Sequence, residues 1–125
     1  MNTTRKPEGR IVHLDDLPRY EPAGHWGTRN ARLVEHPAGG GYEMILGTMT
    51  PEGGAEPHHH DRNHQAMFIL EGEALVELGD APPRRCGPGS VIEIPPGLPH
   101  RFASAGTGTL RFIVVFSPPL AAGGR

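Results

Sequence analysis

A chain of 125 residues has room for one domain with one core, and its formal charge of −2 leaves no basic stripe with which to neutralise nucleic acid. MNTTRKPEGR at the start has no apolar signal core, and no segment reaches the roughly 18 apolar residues of a membrane span, so a cytoplasmic protein without membrane or nucleic-acid partners is expected. The one cysteine, Cys86, excludes an internal disulfide and suits a reducing compartment.

Glycine and proline supply 18 and 14 residues, a level compatible with disorder, but here they punctuate short apolar runs as in a turn-rich all-β protein. Residues 1–30 are polar, carry scattered prolines and sustain no period. They are expected to form an N-terminal arm with a short strand at residues 11–14 and a helical turn within LDDLPRY. From Ala31 the character changes. ARLVEH, YEMILGTMT, HQAMFIL, EALVEL, SVIEIP, LPHRFAS and TLRFIVVF read as strands, and PAGGG, PEGGAEP, EG, GDAPPRRCGPG, PPG and AGTG separate them as turns. Strands at this spacing predict a sandwich or barrel over residues 31–117, followed by a flexible tail at 118–125.

The stretch EPHHHDRNHQAMFILEGE places four histidines and a glutamine within eight positions. Side chains two apart on a strand share a face, so His58 and His60, read as lying on one strand, point one way and His59 the other. The turn-like DRN then interrupts the alternation. It leaves His64 and Gln65 competing for a third position on the shared face. Far along the chain, His100 closes PPGLPH, a rigid turn able to aim it.

These residues resemble the two cupin motifs. The first, commonly G-x5-H-x-H-x3-4-E-x6-G, appears as His58-x-His60-x4-Gln65-x6-Gly72, with Gly53 and Gly54 ahead of it. The second, G-x5-P-x-G-x2-H-x3-N, appears as Gly89-x5-Pro95-x-Gly97-x2-His100-x3-Ser104, with 16 residues between Gly72 and Gly89. The resemblance implies a cupin double-stranded β-helix, or jelly-roll barrel, holding one divalent metal ion on His58, His60, Gln65 and His100. Imidazole suits several ions, so zinc, manganese, iron, nickel and cobalt are all admissible. Three departures stand out. The leading glycine is one residue too close, Ser104 replaces asparagine, and Gln65 replaces glutamate.

The last departure bears on chemistry. A glutamine brings a carbonyl dipole where glutamate would bring a charge, so a divalent ion keeps its full double charge and polarises a bound oxygen more strongly. This favours Lewis-acid isomerase, lyase or cyclase chemistry on an oxygen-rich small molecule such as a sugar acid or hydroxy-carbonyl compound. Cupins with this His-x-His-x4-Gln…His arrangement include a group acting on unsaturated uronates. Iron or manganese dioxygenase activity, and a non-catalytic module binding a small molecule or metal, are the alternatives. Tyr42, Glu43, His64, Arg101 and Arg111 are the candidates for further polar groups near the metal, and Met44, Met67, Phe102 and Phe112 for an apolar pocket wall. A homodimer is expected, since paired edges or exchanged arms relieve exposed strand edges.

Overall fold

Period-two burial along the strands decides the architecture. The computed structural model describes residues 6–36 and 40–120. A 3-10 turn at Leu14–Asp16 precedes the strands β1 Arg19–Tyr20, β2 His25–Val34, β3 Glu43–Ala55, β4 His64–Glu71 and β5 Ala74–Leu78. β6 Arg84–Cys86, β7 Val91–Ile94, β8 His100–Ser104 and β9 Leu110–Ser117 follow. One sheet runs in the order β1-β2-β3-β9-β4-β7 and the other β6-β5-β8, and every pairing is antiparallel. The expected all-β jelly-roll is what forms.

The inner faces supply the core. On β4 it is Gln65, Met67 and Ile69 that are buried, and on β9 Leu110, Phe112, Val114 and Phe116. These two sets meet in register: Gln65 opposite Phe116, Met67 opposite Val114 and Ile69 opposite Phe112. Across the barrel, Phe102 of β8 packs edge-on against Phe112 with ring centroids 4.8 Å apart. One end of the barrel is filled by this packing. The other keeps polar side chains.

Several boundaries differ from those legible in the composition. The border at residues 30/31 falls inside β2, which starts at His25, and β1 lies wholly within the expected arm. Both were obscured because their inward residues are polar: Thr28 and Asn30 are buried, at 2% and 8% exposure. Residues 11–13 form no strand. β3 runs on through PEGGA, read as a turn, because its pairing with β9 ends at Met49 and nothing there needs the N–H that Pro51 lacks. Similarly, β6 forms from RRC inside a supposed turn by pairing with β5. Of the expected flexible tail, Leu120 packs on the core and its N–H donates to Glu43 Oε1 at 2.9 Å, while the Asn63 amide donates to the Pro118 carbonyl at 2.6 Å. Residues 121–125 lie outside the described residues.

Candidate metal centre

His58, His59 and His60 belong to no strand. The backbone N–H of His58 donates to the His100 carbonyl (3.1 Å), and that of His100 donates back to the His58 carbonyl (2.9 Å), an isolated antiparallel bridge. Two residues on, Gly97 N–H donates to the His60 carbonyl at 2.7 Å. The HHH segment is therefore stitched to the turn before β8. Alternation still holds, with His58 and His60 half-buried and His59 exposed beside Asp61 (3.2 Å).

One nitrogen from each of His58, His60 and His100 lies within 4.8 Å of the other two. Hydrogen bonds settle the tautomers of two rings. His58 Nδ1 lies 2.9 Å from the Glu56 carbonyl and His100 Nδ1 lies 3.0 Å from the Leu98 carbonyl. A carbonyl oxygen only accepts, so each Nδ1 carries the hydrogen, and in the neutral ring each Nε2 is left with a bare lone pair. Those two Nε2 atoms face each other at 3.1 Å. Two lone pairs that close repel unless a cation sits between them. Nitrogens about 2.1 Å from one ion and at right angles around it would stand about 3.0 Å apart, so the spacing fits shared coordination.

Gln65 contributes from β4. His64 points outward and is exposed, whereas Gln65 is 8% exposed and lines the same cavity as the three histidines. Its Nε2 meets only the Met67 sulfur at 3.4 Å, and its Oε1 is buried with no donor. An acceptor stranded in this way fits a fourth position on a cation. The donor set thus matches a divalent ion held by three neutral imidazoles and one amide oxygen.

Protons compete poorly for His60 and His100. Burial, reinforced by the neighbouring rings of His58, His100 and His59 and only partly opposed by Asp61, pushes His60 down to about 4. His100 is lowered mainly by burial as well, against the opposing effect of its Leu98 hydrogen bond. In the unfolded chain His60 takes its proton near 6.5, so between 6.5 and about 4 the unfolded state binds more protons than the folded one. The metal-free protein should accordingly melt at a steady temperature above neutral pH and progressively lower from 6.5 to 4. His60→Asn should flatten that decline in a pH series of melting curves; an unchanged slope would contradict the assignment.

The cavity measures about 380 Å³. Met49, Met67, Phe102, Phe112 and Phe116 form much of its wall, with the His60 and Phe116 ring centroids 5.3 Å apart. Of the polar groups singled out beforehand, Tyr42, His64 and Arg101 are exposed, Glu43 is buried against Leu120, Arg111 is partly exposed, and none of the five lines the cavity. Nor does Met44. In their place stand Tyr20, His25 and Asn30. The His25 ring centroid lies 6.1 Å from that of His58, and burial first, then His58, lowers its pKa. A register shift between Trp26 and Thr28 brings His25 to the same face as Thr28 and Asn30. The only sequence signal for it was a glycine, Gly27, inside a strand-like run.

No curated protein matches the chain. Among solved structures, the polyketide cyclase RemF from Streptomyces resistomycificus is 28% identical with a TM-score of 0.76, covering 94% of this chain and 90% of its own. KdgF from Halomonas sp. is 20% identical with a TM-score of 0.75, over 87% of this chain and 94% of its own. A sugar phosphate isomerase of the cupin superfamily from Silicibacter pomeroyi is 19% identical with a TM-score of 0.73, over 86% and 75%. The cupin domain family matches residues 45–116, from the inner face of β3 through both histidine motifs to the last core residue of β9, and the chain belongs to that family.

Proposed function

We propose that the chain is a metal-dependent enzyme of Lewis-acid type that closes a ring in, or isomerises, an oxygen-rich small molecule with a flat apolar body. One observation carries the metal dependence: the two Nε2 lone pairs 3.1 Å apart, each fixed in that tautomer by a carbonyl behind its ring. The substrate reading is supported by the aromatic wall and by the likeness to a polyketide cyclase at 28% identity.

When bound, a divalent ion supplies polarisation of a carbonyl or hydroxyl oxygen. The rest falls to the chain. His58, His60 and His100 would hold the ion without neutralising it, and Gln65 would add a dipole in place of a charge. Phe102, Phe112 and Phe116 keep water from the apolar body and hold it flat. An intramolecular aldol closure suits such a site. It forms one C–C bond, moves a proton from the attacking carbon to the carbonyl oxygen and releases water on aromatisation. No oxidant is needed.

Elemental analysis of untagged protein should find one divalent ion per chain. Supplied with a linear poly-β-ketone thioester, the protein should form a cyclised product without consuming oxygen, and chelation should stop turnover. Full activity after chelation would exclude the proposal. Stoichiometric oxygen uptake would replace it with a dioxygenase.

A further inference from the structure

The family match begins at residue 45, so the wall of the cavity built by β1 and β2 lies outside the matched segment. That wall is polar. Asn30, opposite Tyr20 in the β1–β2 register, is 8% exposed, lines the cavity and leaves its Oδ1 buried with no hydrogen-bond partner. His25, on the same face beyond the bulge, has its Nδ1 buried and unpartnered too. Buried acceptors are normally satisfied, and an orphan costs stability. Both residues line the cavity, and the orphaned amide oxygen of Asn30, which can only accept, marks a place where a ligand supplies the missing donor, with His25 Nδ1 beside it as a second unsatisfied polar atom. Tyr20 is held in position beside them by the Arg32 guanidinium, whose carbon lies 3.8 Å from the centre of its ring.

The charge of the lining narrows the ligand. Among the described residues, no lysine or arginine lines the cavity. A carboxylate or phosphate lying against this wall would therefore lack a cationic side chain to offset its desolvation. Further along the same sheet the lining turns to aromatic and thioether, with Met49, Met67, Phe112 and Phe116 on β3, β4 and β9, and Phe102 joins them from β8. We infer that the inner face of β1 and β2 is a hydrogen-bonding subsite for a neutral, flat, hydroxyl-bearing aromatic ligand, with Asn30 Oδ1 accepting from a ligand hydroxyl and Tyr20 and His25 flanking it. Gripping one edge of the ring system in this way sets which of its atoms faces the histidine triad. The inference deepens the proposed function and rests on the same cavity.

Two probes isolate the hydroxyl: 2,7-dihydroxynaphthalene and its dimethyl ether, which share rings and oxygens but differ in O–H donors. Neither chelates a metal through adjacent oxygens. Binding is read by fluorescence titration on both metal-stripped and zinc-loaded protein. The diol should bind at least about fivefold more tightly than the ether. Asn30→Ala should weaken the diol about fivefold to tenfold while leaving the ether within about twofold. Ligand-free Asn30→Ala should melt no lower than wild type, because it deletes an unsatisfied buried group. Tyr20→Phe, which removes one hydroxyl from the rim, serves as a second variant and should also weaken the diol selectively. Equal affinities for the two probes, or variants that weaken both alike, would overturn the subsite. The two readings fail separately. Asn30-dependent diol binding without metal-dependent turnover sinks the enzyme and leaves the subsite; turnover with a diol affinity indifferent to Asn30 does the reverse.

Discussion

His100→Ala should leave a folded protein that holds no metal and turns nothing over. The ring is 4% exposed and its Nε2 faces that of His58 at 3.1 Å, so its loss removes one of the three clustered imidazoles. Backbone structure should survive. The bridge between His58 and His100 is made by main-chain N–H and C=O groups, which alanine retains. Two opposite effects on stability then follow. In metal-free protein, deleting one of two opposed lone pairs relieves repulsion and offsets part of the cavity left by the ring. With metal present, wild type gains the free energy of binding, about 4 kcal/mol when the ion is at 1,000 times its Kd. For a chain of this size that is a rise in Tm of order 10 °C. The variant should gain none of it. Thermal scans with and without added zinc, beside elemental analysis, check the prediction. A variant that still shifts by as much as wild type would show that the ion sits elsewhere.

The triad could be read from the sequence because its parts are local. His58 and His60 are two apart, so alternation pairs them, and His100 stands at the distance from Gly89, Pro95 and Gly97 that the second cupin motif has, so the resemblance added it before any coordinates. What alternation left open, His64 against Gln65, the resemblance decided for Gln65, and the register of β4 against β9 agrees: Gln65 opposes Phe116 on the inside and His64 opposes Ser117 on the outside. The expectation that His58 and His60 ride on a strand missed how they are held, because a single bridge to β8 leaves no periodic trace.

His25 and Asn30 were illegible for a different reason. Strand patterns are recognised by apolar residues facing inward, and β2 turns Thr28 and Asn30 inward instead. Its bulge then reverses the parity between His25 and the residues after it. A polar inner face disguises a strand as a loop wherever a cavity replaces the core. Alternation does account for Tyr42 and Arg101: each is the outward neighbour of a buried residue, Glu43 and His100 respectively, and is exposed, as alternation after His100 led one to expect for Arg101. The chain thus divides by legibility as it does by role. The family segment carries the candidate metal ligands, and the polar strands before it carry groups suited to choosing a ligand.

The largest effect on the fold should come from Gly72, the closing glycine of the first motif, and Gly89, the opening glycine of the second, provides its control. Both hold a positive φ, +81° and +89°, where an L side chain is strained by about 1–2 kcal/mol. They differ in surroundings. A Cβ at Gly89 meets nothing within 4 Å, whereas one at Gly72 would run into the Thr109 carbonyl oxygen and come within 2.9 Å of Leu110 Cα. Leu110 is fully buried, and it begins the strand that carries Phe112, Val114 and Phe116. Backbone on one side or the other must give way. Gly89→Ala should therefore cost about 1 kcal/mol, strain being partly offset by a stiffer unfolded chain. Gly72→Ala should cost about 3 kcal/mol, adding the displacement of a core strand. Urea titrations of the metal-free proteins would show the two midpoints separated, with Gly72→Ala lower. Gln65 lies seven residues back along β4, roughly 23 Å away, so whatever fraction of Gly72→Ala remains folded should bind metal as wild type does. Equal midpoints for the two variants would mean that the β4–β5 turn absorbs a methyl group without moving β9, contrary to the close approach of Gly72 to Thr109 and Leu110.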